Sequence, residues 1–387
     1  MMFARRAIVS LVVVALAGRA SAADDTGNFV VQLGQDTTSV ETYSRTDSRL
    51  EVDQVGRAPR VLRRHFTYEF ANSSMSHLAI VVTPPGATIP TQTVDATFAA
   101  DSMHMQVHNG TQPVQNINVA MPAGTLVVAG SSPWSGYEGR IMKLVQSKND
   151  SLRATMYFFG APTTSWFSLH KRGNDMVEIS NEHGDLFQAR IDKAGHVLAV
   201  TPVRGTGKYS VTRVASLDVN AMAAGFAARE KAGAGLGTLS PRDTLSVANA
   251  GGAVLWVDYG RPRKRGRAIF GTVVPFGEVW RTGANAATQF KTDKALDFGG
   301  TVVPAGFYTL WTIPSAKDWK FVVNSETGQW GTEHKTAKDL YTIDMRVSTL
   351  PQAVENFTIS VDPNAQGGVL NLDWDTTRAA VAFVVKP

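Results

Sequence analysis

The sequence predicts an all-β protein. An N-terminal antiparallel meander forms a curved sheet or half-barrel, and a short helical linker joins it to a C-terminal β-sandwich or jelly-roll-like domain. Short apolar runs alternate with polar residues along most of the chain, and Gly, Asn or Asp separates them. At 387 residues with 43% apolar residues, the chain is long enough for two cores.

The first domain is predicted from strand patterns between about Asn28 and Ser216. In RVLRRHFTYEF (60–70), apolar side chains occupy one strand face at Leu62, Phe66, Tyr68 and Phe70. Later runs such as TTSWFSLH and LFQARI are separated by the turn sequences KRGND and NEHGD. These features indicate a meander, interrupted by one helix over residues 137–145.

Residues 1–22 have the pattern of a signal peptide, with Arg5 and Arg6 before a short apolar run and small residues before Ala23. Cleavage near Ala22/Ala23 predicts an exported protein, periplasmic or extracellular. No later run is long and apolar enough to span a membrane, so no span is expected in the mature chain.

The domain boundaries follow from changes in composition. The predicted order is a signal peptide (1–22), an antiparallel β domain (23–215), a helical linker (216–243) and a β-sandwich domain (244–387). Within the linker, Asp218 is placed to cap an alanine-rich helix, and Gly233 is the first of several glycines that would end it. The alternative is a helix packed inside one larger domain.

Charge and composition limit the function classes. Residues 1–22 carry three arginines and no acid, so removing them lowers the formal charge from +5 to +2. The mature chain lacks the broad basic surface of a nucleic-acid-binding protein, and no nucleic-acid partner is expected. It has no cysteine, and therefore no disulfide or thiol nucleophile. His104 and His108 share a strand face without a local third ligand, so neither a metal site nor a cofactor is predicted.

The second part of the chain carries an ordered set of motifs: YGRPRKRGRAIFG, WRTGANAATQF, VVPAGFYTLWTIP and QWG. With these residues, the region from about Leu245 to Val385 resembles the secreted bacterial family called domain of unknown function 2911. The resemblance implies an exported β-sandwich domain and supplies no established reaction. Ala286 stands where that family commonly has an acid, which weakens any mechanism that needs this carboxylate. Residues 23–216 are not assigned to a family.

The basic run GRPRKRGRAIFG (260–271) places five cationic side chains within residues 261–267. Pro262 and Gly266 make an uninterrupted strand improbable. We predict that Arg261 and Arg267 flank a turn and point inward, and that the three cations between them lie in solvent.

The segment WRTGAN combines a guanidinium, a hydroxyl and an amide around Gly283. These donors suit a carboxylate, a phosphate or sugar hydroxyls. The predicted ligand-binding residues are Tyr259, Arg261, Arg267, Arg281, Asn285 and Thr288, with Tyr308 and Trp330 as apolar walls. The predicted function is binding of a small anion or carbohydrate of the cell envelope. In the alternative interpretation, Arg281 is structural and pairs with an acid such as Asp344 or Glu278.

Two further functions stay open. One is a hydrolase of an envelope glycan or polymer, using the arginines with clustered carboxylates from among Glu278, Asp339, Asp344, Asp373 and Asp375. The other is a protein-interaction module or a carrier of apolar ligands. The sequence contains no catalytic motif, so whether the protein is an enzyme stays undecided, with a binding role favoured. For Asp373 and Asp375, which flank Trp374, solvent exposure at a strand end is the simplest interpretation.

Overall fold

The computed structural model describes residues 25–72, 74–130 and 133–386. The predicted signal peptide lies outside these ranges. No helix within them is long and apolar enough to cross a membrane. The described chain is mostly β-structure, with a large N-terminal sheet, a short helical segment and a C-terminal sheet, and the predicted fold class is confirmed.

The N-terminal sheet has fifteen strands. They are β1 Asp25–Leu33, β2 Asp36–Arg45, β3 Arg49–Gly56, β4 Leu62–Ala71, β5 Ser74–Thr83, β6 Gln92–Phe98, β7 Ser102–Asn109, β8 Gln115–Ala120, β9 Leu126–Val128, β10 Ser151–Phe158, β11 Ser165–Lys171, β12 Met176–Asn181, β13 Leu186–Ile191, β14 Val197–Arg204 and β15 Ser210–Arg213.

Two antiparallel meanders make up this sheet, and β1 joins them. Strands β1 to β8 run outward in sequence order on one side, and β15 back to β10 run outward on the other, with β9 parallel to β10 at the edge. The joint is the antiparallel pairing of β1 with β15, the first and last strands of the domain. This long-range pair closes the domain around one core.

Helix α1 (Trp134–Gln146) packs against the inner face of the sheet. Its Ile141 and Leu144 are fully buried in the same core as Phe29 and Phe167. Glu138 on this helix is also fully buried. It bonds to strands on both sides of the β1–β15 joint and therefore holds the helix in place.

The helical segment between the sheets consists of α2 (Val219–Arg229) and a turn over Glu230–Ala234. As predicted from the sequence, the Asp218 side chain caps α2, accepting from the amide of Ala221 at 2.9 Å. Phe226 packs with Val40 and Val55 on the face of β2 and β3 that lies away from the main core. Glu230 accepts from the amide of Val61 at 3.0 Å, so the segment is anchored to the first sheet.

The C-terminal sheet has nine strands, ordered β16-β17-β18-β21-β22-β23-β24-β19-β20. Their bounds are β16 Arg242–Ala250, β17 Ala253–Gly260, β18 Thr288–Thr292, β19 Leu296–Asp297, β20 Val302–Val303, β21 Gly306–Ile313, β22 Asp318–Asn324, β23 Asp339–Pro363 and β24 Gly367–Val385. A short 3₁₀ turn, Thr336–Lys338, precedes β23.

The strands of this sheet enclose a second core, separate from the first. Its centre is an aromatic cluster in which Trp280 stacks on Trp374 with ring centroids 6.0 Å apart. Phe357 meets Trp280 edge to face at 5.0 Å, and Phe270 meets Trp319 in the same manner at 4.7 Å. Trp280 precedes the RTGAN segment, so this cluster fixes the start of that loop.

The prediction for the basic run was wrong at its tip. Arg265 is only 2% exposed and forms an ion pair with Asp36 of the first sheet, while its carbonyl accepts from the amide of Gln35 at 3.0 Å. Lys264 pairs with Asp375 at 2.5 Å. Arg265 therefore joins the two sheets through Gln35 and Asp36 of the first sheet. Lys264 is held within its own domain by Asp375 of β24.

Asp373 and Asp375 are not solvent-exposed strand-end residues, in contrast to the simplest interpretation of the sequence. Asp373 is 8% exposed and makes a two-point ion pair with Arg378, at 2.7 and 2.6 Å. Asp375 is the partner of Lys264. Both carboxylates are neutralised by cations of their own domain, which is a structural role.

Candidate functional site

The RTGAN segment (281–285) is held in place by hydrogen bonds on several sides. Trp280 donates through its indole N–H to the carbonyl of Gly283 at 3.1 Å, and the Thr288 hydroxyl donates to the carbonyl of Thr282 at 2.7 Å. The carbonyl of Asn285 accepts from the amide of Gly331 at 3.0 Å. These bonds order the backbone of the loop from which the Arg281 side chain extends.

This loop forms one wall of a cavity of about 920 Å³ between the two sheets. Another wall is formed by Arg204 at the end of β14 and by Thr206 and Lys208 of the loop that leads to β15. Thr238–Ser240, which lead from the helical segment into β16, line a third side. A space of this size lies within the range of about 300–1,000 Å³ typical of small-molecule sites.

Arg281 is the most unusual residue of this cavity. Among the described residues, its side chain makes no hydrogen bond and no ion pair, and its Nε atom is buried without a partner. Desolvation lowers the pKa of the guanidinium to about 10, and the negative charge of Asp185 only partly opposes this. Part of the Arg281 side chain is exposed to the cavity, and its unused N–H donors face that space.

Lys208 adds a second positive charge from the other domain. Desolvation lowers the pKa of its ammonium group, and the nearby cations Arg281 and Arg267 lower it further. Asp185 is the opposing charge, but its carboxylate already accepts from the amides of Thr206 and Gly207 at 2.5 and 2.9 Å. No ion pair or hydrogen bond of the Lys208 side chain occurs within the described ranges. Positive charge therefore converges on the cavity, and among the described residues neither Asp185 nor Glu278 forms an ion pair with Arg281 or Lys208.

Gly331 makes room for the Arg281 side chain, and we predict that alanine at this position disturbs the site. A Cβ atom there would overlap the Cδ of Arg281 and the carbonyl oxygen of Asn285. We expect Gly331→Ala to cost about 1–3 kcal/mol of folding free energy, measured by denaturant unfolding. Gly225→Ala is the control: it lies within α2 with open space around it, and we expect it to be neutral or stabilising. Equal stability of the Gly331 variant and the parent would contradict this packing.

The structure separates the eight residues that were predicted as a site. Arg267, Arg281 and Asn285 line the cavity. The remaining five do not, and each has a contact that explains its position. The Tyr259 hydroxyl accepts from the amide of Ile359, and Arg261 donates to Phe357 and Thr358 and pairs with Asp243. The Thr288 hydroxyl donates to the carbonyl of Thr282, as described above. Tyr308 donates to the carbonyl of Pro304, and Trp330 packs against His183.

Neither of the two acids suggested as partners of Arg281, Asp344 and Glu278, forms an ion pair with it. Asp344 pairs with Lys320, and Glu278 lines the cavity without an ion pair to Arg281. Sequence reasoning missed Lys208, Arg204 and Thr206. No local signal marks them, because they belong to an ordinary hairpin sequence of the first domain and reach the site only through domain packing.

The comparisons with known proteins concern the C-terminal part. Residues 240–383 match the family described as "Protein of unknown function (DUF2911)", which confirms the resemblance found in the sequence. No curated protein matches the chain.

Two solved structures are similar to parts of the chain, at 10% sequence identity each. A DUF1089 family protein from Pseudomonas aeruginosa has a TM-score of 0.31, covering 43% of this chain and 90% of its own. A beta-barrel-like protein of domain of unknown function DUF1849 from Brucella abortus has a TM-score of 0.32, covering 50% of this chain and 96% of its own.

Proposed function

We propose that this protein, whose C-terminal part matches a family without an assigned reaction, binds a small anion in the cavity between its two domains. Arg281 is the main contact, and Lys208 completes the site from the first domain. The observation that carries this proposal is the unpartnered Arg281 guanidinium, held in place by its loop and directed into the cavity. A planar fork of N–H donors beside an ammonium group suits carboxylate or phosphate oxygens.

The charge balance of the lining favours an anion over an uncharged sugar. Four cationic residues of the described chain line the cavity: Arg204, Lys208, Arg267 and Arg281. The lining includes one acidic residue, Glu278. The Arg267 guanidinium donates hydrogen bonds to the carbonyls of Lys264 and Arg263. The side chains of Arg281 and Lys208 have all their N–H donors free among the described residues. An anion would compensate the desolvation of these two groups, and a neutral sugar would not.

The same lining argues against a glycan hydrolase at this site. Hydrolysis of a glycosidic bond requires two carboxyl groups about 5–10 Å apart on either side of the scissile bond. Glu278 has no second acid beside it in the cavity lining. Asp373 and Asp375 are engaged with Arg378 and Lys264. Binding without hydrolysis is therefore the function that the geometry supports better.

Anion binding is tested by isothermal titration calorimetry with inorganic phosphate, pyrophosphate and citrate, with glucose and N-acetylglucosamine as uncharged comparisons. We expect at least one anion to bind and the sugars not to bind. Arg281→Met should weaken anion binding at least tenfold, because it removes charge-assisted hydrogen bonds. Lys208→Met should weaken it less. Affinity should fall at higher salt concentration and as the pH rises through about 10, where Arg281 loses its proton.

Arg190→Met is the matched control, since Arg190 is an exposed arginine of the first domain outside the cavity. It should bind the anion as the parent does. Anion binding that is unchanged in Arg281→Met, or no anion binding by the parent at millimolar concentration, would refute the proposal. Sugar binding that survives Arg281→Met would favour the carbohydrate alternative instead.

The ligand-free Arg281→Met variant carries a prediction of its own. A partly buried cation without a partner destabilises the folded state, so its replacement by an apolar side chain of similar length should raise the free energy of unfolding by about 1–2 kcal/mol. Urea unfolding without ligand measures this. A structural Arg281 would give the opposite sign. The combination of higher stability and lost binding would identify a residue retained for its ligand.

Export of the protein is part of the same proposal. It rests on the sequence of residues 1–22, and an envelope ligand would follow from it. Mass spectrometry of the mature N-terminus, after expression with the native leader, tests this point; we expect it to begin at Ala23.

A further inference from the structure

A second cavity, of about 550 Å³, lies inside the curved N-terminal sheet. Its walls are largely apolar, with Val31, Met156 and Ile179 among the lining residues. Six aromatic side chains also line it: Trp134, Tyr137, Phe158, Phe167, Phe187 and Tyr209. The cavity therefore has the size and the surface of a site for an apolar molecule.

Two charged residues, Arg64 and Asp185, are among the lining. Asp185 already accepts hydrogen bonds from the amides of Thr206 and Gly207 and from the side chain of Asn181, whereas Arg64 has no such partners within the described ranges. Arg64 lies on β4, on the same strand face as Leu62, Phe66 and Tyr68, and these three residues are buried in the core. A cation thus occupies the apolar face of its strand, as the sequence pattern of residues 60–70 already indicates. The backbone at Gly130 approaches so closely that a Cβ atom there would overlap the guanidinium group.

The Arg64 side chain has no partner in the described part of the protein. Its Nη1 atom is buried without a hydrogen bond, and it forms no ion pair. Desolvation lowers the pKa of its guanidinium, with no neighbouring carboxylate to oppose the effect. Burying a cation in this manner is costly unless an anion accompanies it.

We propose that this cavity binds a single-chain amphiphile with an anionic head group. The head, a carboxylate or a phosphate, pairs with Arg64, and the hydrocarbon chain lies among the aromatic side chains. A fatty acid and a lysophospholipid-type phosphate share this chemistry. The site is distinct from the one proposed between the domains, although Ala58, Pro59, Tyr209 and Leu239 line both cavities.

The test uses four twelve-carbon probes below their micellar concentrations: dodecanoate, dodecyl phosphate, 1-dodecanol and dodecyltrimethylammonium. Binding is followed by calorimetry and by the change in tryptophan fluorescence, since Trp134 lines the cavity. We expect the two anions to bind at least tenfold more tightly than the alcohol, and the cation not to bind. The stronger of the two anions identifies the head group as carboxylate or phosphate.

Arg64→Met should remove the preference for anions while leaving the affinity for dodecanol equal or higher, and Arg64→Lys should keep part of it. Arg63→Met is the matched control, because residue 63 points to the opposite face of β4; it should behave as the parent. If Arg64→Met unfolds, the Arg64→Lys variant still decides, since loss of anion preference with the charge retained would overturn the assignment.

Arg281→Met separates the two sites. Under the proposal it leaves dodecanoate binding unchanged. If it abolishes that binding while Arg64→Met does not, the head group sits in the cavity between the domains and the assignment to Arg64 is wrong. Equal affinity of the parent for dodecanoate and dodecanol would also overturn the proposal.

Discussion

Replacing Glu138 by alanine is expected to lower the free energy of unfolding by about 3–5 kcal/mol. This carboxylate is fully buried on α1. One oxygen accepts from the hydroxyl of Tyr43, and the other accepts from the amide of Val197 at 2.7 Å and pairs with Arg213. Alanine would leave the Arg213 guanidinium without its buried counter-charge and detach the helix from the sheet.

The double variant Glu138→Leu/Arg213→Leu is the companion test. It removes Glu138 together with Arg213, while Arg45, which also lies within 3.4 Å of Glu138, keeps its ion pair with Asp25. We expect this variant to be more stable than Glu138→Ala, because no buried cation is left without a counter-charge. Glu51→Ala, which removes a half-exposed carboxylate of β3 that pairs with Arg49, should change stability by less than about 1 kcal/mol. Denaturant unfolding measures all three. A Glu138→Ala protein as stable as the parent would contradict the role given to this cluster.

The second large effect is a dependence of stability on pH through Glu41. This carboxyl group is fully buried on β2, and desolvation raises its pKa to about 7, against the lowering effect of the amides of Ser135 and Trp134 that donate to it at 2.8 and 3.1 Å. A raised folded-state pKa means that the protonated form favours folding. The contribution of Glu41 to the free energy of unfolding is fully present below about pH 4.5 and is lost as the pH rises through about 7. The loss amounts to about 3 kcal/mol.

The parent and Glu41→Gln should therefore be compared by urea unfolding at several pH values between 4 and 8. We expect the stability of the parent relative to the variant to decline by a few kcal/mol over this range. Other titrating groups contribute equally to the parent and the variant, so their effects cancel in the difference between the two unfolding free energies. Hydrogen bonds altered by the substitution add a constant to this difference and do not change its dependence on pH. Glu51→Gln should follow the parent. A difference that does not vary with pH would show that Glu41 titrates in its ordinary range.

Much of the fold could be read from local patterns. Alternation in residues 60–70 located an inner and an outer strand face, Asp218 identified the start of the helical segment, and the motifs of residues 245–385 matched their family. The same patterns pointed to Arg281 and Asn285 in the candidate site. These features depend on neighbours along the chain, and a sequence records such neighbours directly.

Other features depend on residues far apart in the chain. The pairing of β1 with β15, the ion pair between Arg265 and Asp36, and the placement of Lys208 opposite Arg281 arise only when the domains fold and pack. Arg265 has the sequence environment of a solvated turn, yet it is buried because its partner lies on the other sheet. Composition and periodicity thus define strands, turns and the faces of each strand. Long-range packing determines which charges find partners and which, like Arg281 and Arg64, are left facing a cavity, because desolvation and ion pairing depend on distances that the order of residues does not specify.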